Sequence, residues 1–326
     1  MTKNLILILG LMILALPLMA IGDDAGTSGF SSLKIIYSAR ANAMAGAFTS
    51  RDDDIDVIFF NPANLGGYEA NREVSSTFMS YFDGYNGGSV VYQYKRSEKS
   101  NVAVFGQFLA SDEIKRTISG ENGGYLDAGT YDNSDFIAGA NYSYYFNEQL
   151  NVGFSGKYIQ ETIDDKSASA IAFDLGILHR PVNEKIRVGA AIRNIGAQLS
   201  YFTDSEYNEG MPIVYAGGIS YKTDLKTRDN EADFIPSMLV SLDLSLAQGS
   251  DLTGLIGTEF QVHEQFLVRV GYKTNAGDYK NGGDNEIFSG LSTGVGFVRN
   301  NLRVDYALNS YGDLGFINQV TLKYQF

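Results

Sequence analysis

A chain of 326 residues without cysteine has no disulfide framework and no thiolate metal site or nucleophile, and a formal charge of −13 lacks the lysine and arginine surplus that nucleic acid demands. Glycine (36), tyrosine (21) and phenylalanine (20) are abundant, while proline (5) and charged residues (19%) are scarce and tryptophan is absent. That balance favours half-buried strands and turns, so an all-β protein is expected.

The chain opens MTKNLILILGLMILALPLMA: one lysine, an apolar stretch from Leu5 to Leu16, then Pro17 and the small Ala20. This reads as a signal peptide over residues 1–20, cleaved near Ala20, because its apolar core is shorter than the ~20 residues of a spanning helix. Residues 21–71 lack strand alternation and read as a separate folded segment of small residues and short helical pieces. Within it, Asp52, Asp54 and Asp56 have the spacing that opens a calcium loop, but Val57 and Ala63 stand where its glycine and closing glutamate belong. They are read as a solvent-facing acidic loop, and neither metal nor cofactor is expected.

From residue 72 to 326 the period changes. Fourteen strands are predicted, at 72–82, 87–96, 101–110, 133–146, 150–163, 168–179, 185–194, 212–222, 234–247, 252–262, 265–273, 287–298, 301–308 and 316–326. In the last, Val320, Leu322, Tyr324 and Phe326 share one face and Thr321, Lys323 and Gln325 the other. A β-sandwich also alternates, but soluble strands average about five or six residues, whereas a tilted strand crossing a bilayer needs about nine to eleven. The expected fold is a transmembrane antiparallel β-barrel with a lumen too wide for one layer of side chains to fill.

With the first strand running outward, most periplasmic links are short; the exception is 223–233. The extracellular loops 111–132, 195–211 and 274–286 are long and rich in Gly, Asn and Asp, with Tyr125, Tyr131, Tyr201, Phe202, Tyr207 and Tyr279 as candidate contacts. The polar faces place Asp174, Arg187, Arg193, Asp243, Glu259, Arg269, Arg303, Asp305 and Lys323 in the lumen. Two histidines, His179 and His263, give a catalytic triad or a metal cluster little to work with, so no enzyme is expected.

The run Ala39, Arg40, Ala41, Met44, Ala45, Gly46, Ala47, Phe48, an acidic stretch, then Asn61-Pro62-Ala63, resembles the N-terminal signature of the PorV/PorQ family and the wider FadL-like barrels. Ala45 and Asn64 depart from it, each standing where glycine is usual. The resemblance implies a fourteen-stranded outer-membrane barrel with residues 21–71 as a hatch, seated through Arg40, Met44, Gly46, Asn61, Pro62 and Ala63. Arg40 is expected to pair with Asp174, Asp243, Glu259 or Asp305. Phe326 resembles the terminal signal read by the barrel-assembly machinery. The implied function is handling of secreted cargo through its C-terminal domains, as in type IX secretion. The alternative is FadL-like uptake of long-chain fatty acids or other hydrophobic small molecules. Outer-membrane lipid is a partner in either case.

Overall fold

The computed structural model describes residues 29–82, 84–119, 124–181, 185–203, 210–225, 234–275 and 286–326. The signal-peptide reading and its cleavage site lie outside these residues, as do Tyr207 and Tyr279.

Among the described residues, sixteen strands follow the first segment. They are β1 Arg72–Ser80, β2 Asn86–Ser97, β3 Ser100–Ala110, β4 Ile114–Ser119, β5 Tyr125–Tyr131, β6 Asn133–Asn147, β7 Leu150–Ile163, β8 Lys166–His179, β9 Ile186–Ser200, β10 Val214–Asp224, β11 Ser237–Ala247, β12 Thr253–Gln261, β13 Phe266–Lys273, β14 Leu291–Arg299, β15 Leu302–Ser310 and β16 Phe316–Gln325. Fourteen of them close an antiparallel barrel in which β1 pairs with β2 and β16, and β3 with β6; β4 and β5 form a separate two-stranded ribbon. Closure is sealed by the register Glu73↔Gln325, beyond which the Phe326 amide donates to the Arg72 carbonyl (3.0 Å). The terminal ring stays exposed, edge-on to Tyr324 at 5.0 Å.

Alternation decides which face is which. In β13, Phe266, Val268, Val270 and Tyr272 point outward and exposed, while Leu267, Arg269 and Gly271 are buried inside. The same holds in β16, where Leu322 is 50% exposed and Lys323 only 2%. Large apolar side chains thus cover the outside of the wall, a surface far larger than a monomer leaves to water.

Three departures from the predicted boundaries are the largest. The reading of 111–132 as loop misses the β4–β5 ribbon, whose residues are exposed on both faces and carry no buried stripe. β9 continues past 194 to Ser200 through an irregularity opposite Phe173 to Leu175, where Asn194 takes a φ of 63°. This bulge moves the outward position from Ile192 to Ile195 and Leu199, so the parity flips mid-strand. The strand predicted from 287 begins at Leu291, after a 3-10 turn at Glu286–Phe288.

Residues 29–71 pack against the inner wall. They contain a 3-10 turn Ser31–Lys34, the helix α1 Ala39–Ala43 and a 3-10 turn Ile55–Phe59. Left-handed residues at Ala45 (φ 56°) and Gly46 (φ 82°) follow α1 and turn the chain back on itself.

Candidate functional site

The wall is relieved where this segment approaches it. A Cβ built on Gly153 would lie 2.1 Å from the Pro62 carbonyl oxygen; on Gly176, 1.9 Å from Asn61; and on Gly257, 2.7 Å from Met44. Gly189 faces Thr49 and Gly294 faces Ala43 in the same way. Small residues on the segment and glycines on the strands are thus two sides of one close approach. Asn61 donates to the Thr49 and Ile177 carbonyls (both 2.9 Å) and accepts from the Ala63 amide. The Pro62 carbonyl accepts from Asn141 and Ser143. Gly46 lies beside Ile36 and Leu255, and Ala63 is fully buried.

At the end of the barrel that carries the short turns, charge takes over. Arg40 grips Glu259 with two bonds (Nε to Oε2 2.8 Å, Nη2 to Oε1 2.6 Å) and also reaches Asp53 and Asp54. Of the four carboxylates expected for it, Glu259 is the partner. Arg269 joins Glu259 to Asp305, Arg303 bonds Asp305 (2.7 Å), and Lys323 meets Asp54 and Asp56. Including Arg51 on Asp53, five cations (Arg40, Arg51, Arg269, Arg303, Lys323) face five carboxylates (Asp53, Asp54, Asp56, Glu259, Asp305). Ions taken out of water need such neutrality, because an unmatched charge inside costs several kcal/mol.

The acidic run is therefore not a solvent-facing loop. Asp54 and Asp56 are 2% and 0% exposed, and Asp52 is bound by Arg180 (2.8 Å) and Arg187 (2.9 Å). Burial alone would raise both buried carboxyls. Lys323, Arg40 and Arg303 outweigh it at Asp54 and hold its pKa well below the usual range. At Asp56 burial prevails over Lys323, and with the help of the Asp54 charge the pKa is raised.

Toward the other end, which carries the longer loops, the lumen opens into a cavity of about 1060 Å³. Its floor is the segment, with Ile36, Tyr37, Ile58 and Phe59, and Tyr81, Phe82, Tyr85 and Tyr311 stand on its wall. Phe82 and Tyr311 pack at 5.6 Å, and the Lys273 ammonium sits 5.4 Å above the Tyr311 ring. Burial pushes the Tyr311 hydroxyl pKa up to about 12. Lys157 pairs with Asp174 (2.8 Å), and Arg193 donates to the Phe59 carbonyl (2.7 Å) and lies over Phe60. Asp243 accepts from the Thr49 amide. A second, smaller cavity of about 150 Å³ lies at the turn end beside Arg40, Asp53 and Arg303, and shares no lining residue with the first.

The loop candidates divide. Tyr125 is 83% exposed on the ribbon, Tyr131 packs its ring against Arg116, Tyr201 is half-buried, and Phe202 turns inward onto the apolar cluster around Phe48 and Ile58. Residues missed from sequence include Asp53, Arg51, Asn64 and the aromatic group at 81–85 and 311. Asn64, where the resembled motif has glycine, donates to the Phe48 and Thr49 carbonyls.

No protein-family model matches the chain, and no curated protein matches its sequence. Solved structures do share its fold. The Ralstonia pickettii toluene transporter TbuX aligns over 89% of this chain and 98% of its own, at 13% identity and a TM-score of 0.53. The Pseudomonas putida toluene transporter TodX aligns over 88% and 96%, at 10% identity and 0.56. The monoaromatic hydrocarbon channel CymD aligns over 89% and 97%, at 11% identity and 0.56. The chain is thus a closed fourteen-stranded barrel that shares its fold with these hydrocarbon transporters and channels.

Proposed function

We propose that the protein is an integral outer-membrane channel for uptake of small hydrophobic molecules, with residues 29–71 as its plug. The observation that carries this reading is the division of the lumen. A cavity walled by aromatic rings opens toward the loop end, and a charge-balanced segment lies between it and the turn end. Such a pocket suits an apolar solute held briefly on its way inward. The solved barrels of like fold, two toluene transporters and a monoaromatic hydrocarbon channel, support an apolar cargo. The apolar outer wall fits lipid, and the exposed Phe326 ring fits a signal for barrel assembly.

Handling of secreted cargo rests on the 39–65 motif alone. Cells displaying the protein in their outer membrane should take up radiolabelled toluene faster than cells lacking it. Equal rates, with surface display verified, would defeat the channel reading. A deletion strain with normal hydrocarbon uptake but an altered set of secreted proteins would favour cargo handling instead.

A further inference from the structure

Most charges along the large cavity are matched: Lys157 with Asp174, Arg193 with the Phe59 carbonyl, Lys273 over Tyr311. One corner differs. Asp135, on the inner face of β6, is 6% exposed and its Oδ1 meets no donor; among the described residues no cation forms an ion pair with it. One further buried atom ends here without a partner, the Tyr37 hydroxyl (residue 1% exposed). Tyr37 feels the Asp135 charge directly, and the Ser32 hydroxyl hydrogen-bonds the Asp135 carboxyl without neutralising it. Tyr85 closes the corner, its hydroxyl accepting from Asn133 two residues along the strand (3.2 Å).

Buried polar groups are almost always satisfied, and a buried carboxylate without a counter-charge is costly. Two such orphans, Asp135 Oδ1 and the Tyr37 hydroxyl, meeting at one cavity point to an absent ligand group. The missing group must donate to a carboxylate, bring positive charge and tolerate aromatic faces, and an ammonium does all three. We propose that this corner binds the ammonium of a small amphipathic amine, with Asp135 as counter-ion, Tyr37 and Tyr85 as flanking rings, and the apolar body of the solute lying along Phe82 and Tyr311. The inference rests on the cavity being a solute site, and it narrows the solute from any hydrophobic molecule to one with a cationic end. The chain's charge of −13 would also draw cations toward the barrel.

The test is calorimetric titration of the full-length barrel in lipid nanodiscs with benzylamine and with the neutral benzyl alcohol. Benzylamine should bind at least about tenfold more tightly than the alcohol, the worth of one charge-assisted bond. Asp135→Asn should abolish that preference and Asp135→Glu should retain it, both variants keeping the heat-modifiable band of a closed barrel. Should the Asn variant fail to fold, the wild-type protein still decides: binding must vanish in buffer alkaline enough to deprotonate the amine. Equal affinity for the two probes, or binding indifferent to Asp135 or to the amine's protonation, overturns the proposal. Failure of toluene uptake in cells would strike the channel reading and leave this titration able to succeed.

Discussion

In the turn half of the lumen most buried charges have an opposite neighbour, from Arg40 with Glu259 to Lys323 with Asp54 and Asp56, and Glu73 rests on the Tyr68 hydroxyl, whereas the loop half holds aromatic walls and polar atoms that meet nothing at Asp135 Oδ1 and the Tyr37 hydroxyl. Both halves are lined by the same wall and floored or filled by the same segment. The difference lies in which charges already face an opposite one. A matched network resists entry and fixes geometry, while unmatched groups beside open space are prepared for a visitor. Substitutions in the turn half should therefore act on stability, and those in the loop half on solute.

The largest effect is expected at the clamp. Arg40→Met keeps the length of the side chain but leaves Glu259, Asp53 and Asp54 short of a cation. Removing one member of a buried ion pair costs about 3–5 kcal/mol. Thermal conversion of the heat-modifiable band should move down by many degrees, and residues 29–71 should become open to protease. An unshifted transition would show that the clamp does not hold the segment.

Asp54 and Asp56 sharpen the comparison within the clamp, since their pKa values move in opposite directions. A depressed carboxyl stabilises the fold above its unfolded value of about 3.9 and stops doing so as pH falls through its lower folded value. A raised one loses stability as pH climbs from the unfolded to the folded value. At neutral pH, Asp54→Asn should therefore destabilise, whereas Asp56→Asn should be neutral or stabilising. Unfolding midpoints of the two variants at neutral pH check this. Equal losses would mean that Lys323 treats the two carboxylates alike.

In the loop half, Tyr311→Ala should alter solute uptake while lowering the unfolding midpoint far less than Arg40→Met does, because Tyr311 packs on Phe82 and Lys273 beside the cavity and no buried charge is left unpaired. A loss of stability as large as that from Arg40→Met would erase the distinction between the halves.

The barrel was legible because a two-sided wall imposes period two: Leu322 and Lys323 differ in exposure as their chemistry does. Legibility failed where that constraint is absent or broken. The β4–β5 ribbon has no buried face, and the bulge at Asn194 switches parity inside β9. The clamp was half visible. Its strand members stood out as charges on an alternating face, but Asp54 looked solvent-facing because Lys323 lies 269 residues away in the chain. Pairing at that range leaves no local spacing to read. Phe202 shows the converse, an aromatic in a predicted loop that the cavity floor draws inward.

Ala45 carries the smallest and most local prediction. The resembled pattern has glycine there, and the structure supplies the reason: a φ of 56°, where a Cβ crowds the following carbonyl at a cost of roughly 1–2 kcal/mol. The next residue, Gly46, has a φ of 82° and takes the same turn without that cost. Ala45→Gly should then stabilise by about 1 kcal/mol at most, since the glycine also gains freedom in the unfolded chain and gives up a methyl that touches the wall near Gly271. Chemical unfolding with matched slopes would resolve the change. A destabilised variant would mean that this methyl helps to seat α1, and that close packing against the glycines outweighs backbone strain in holding the segment.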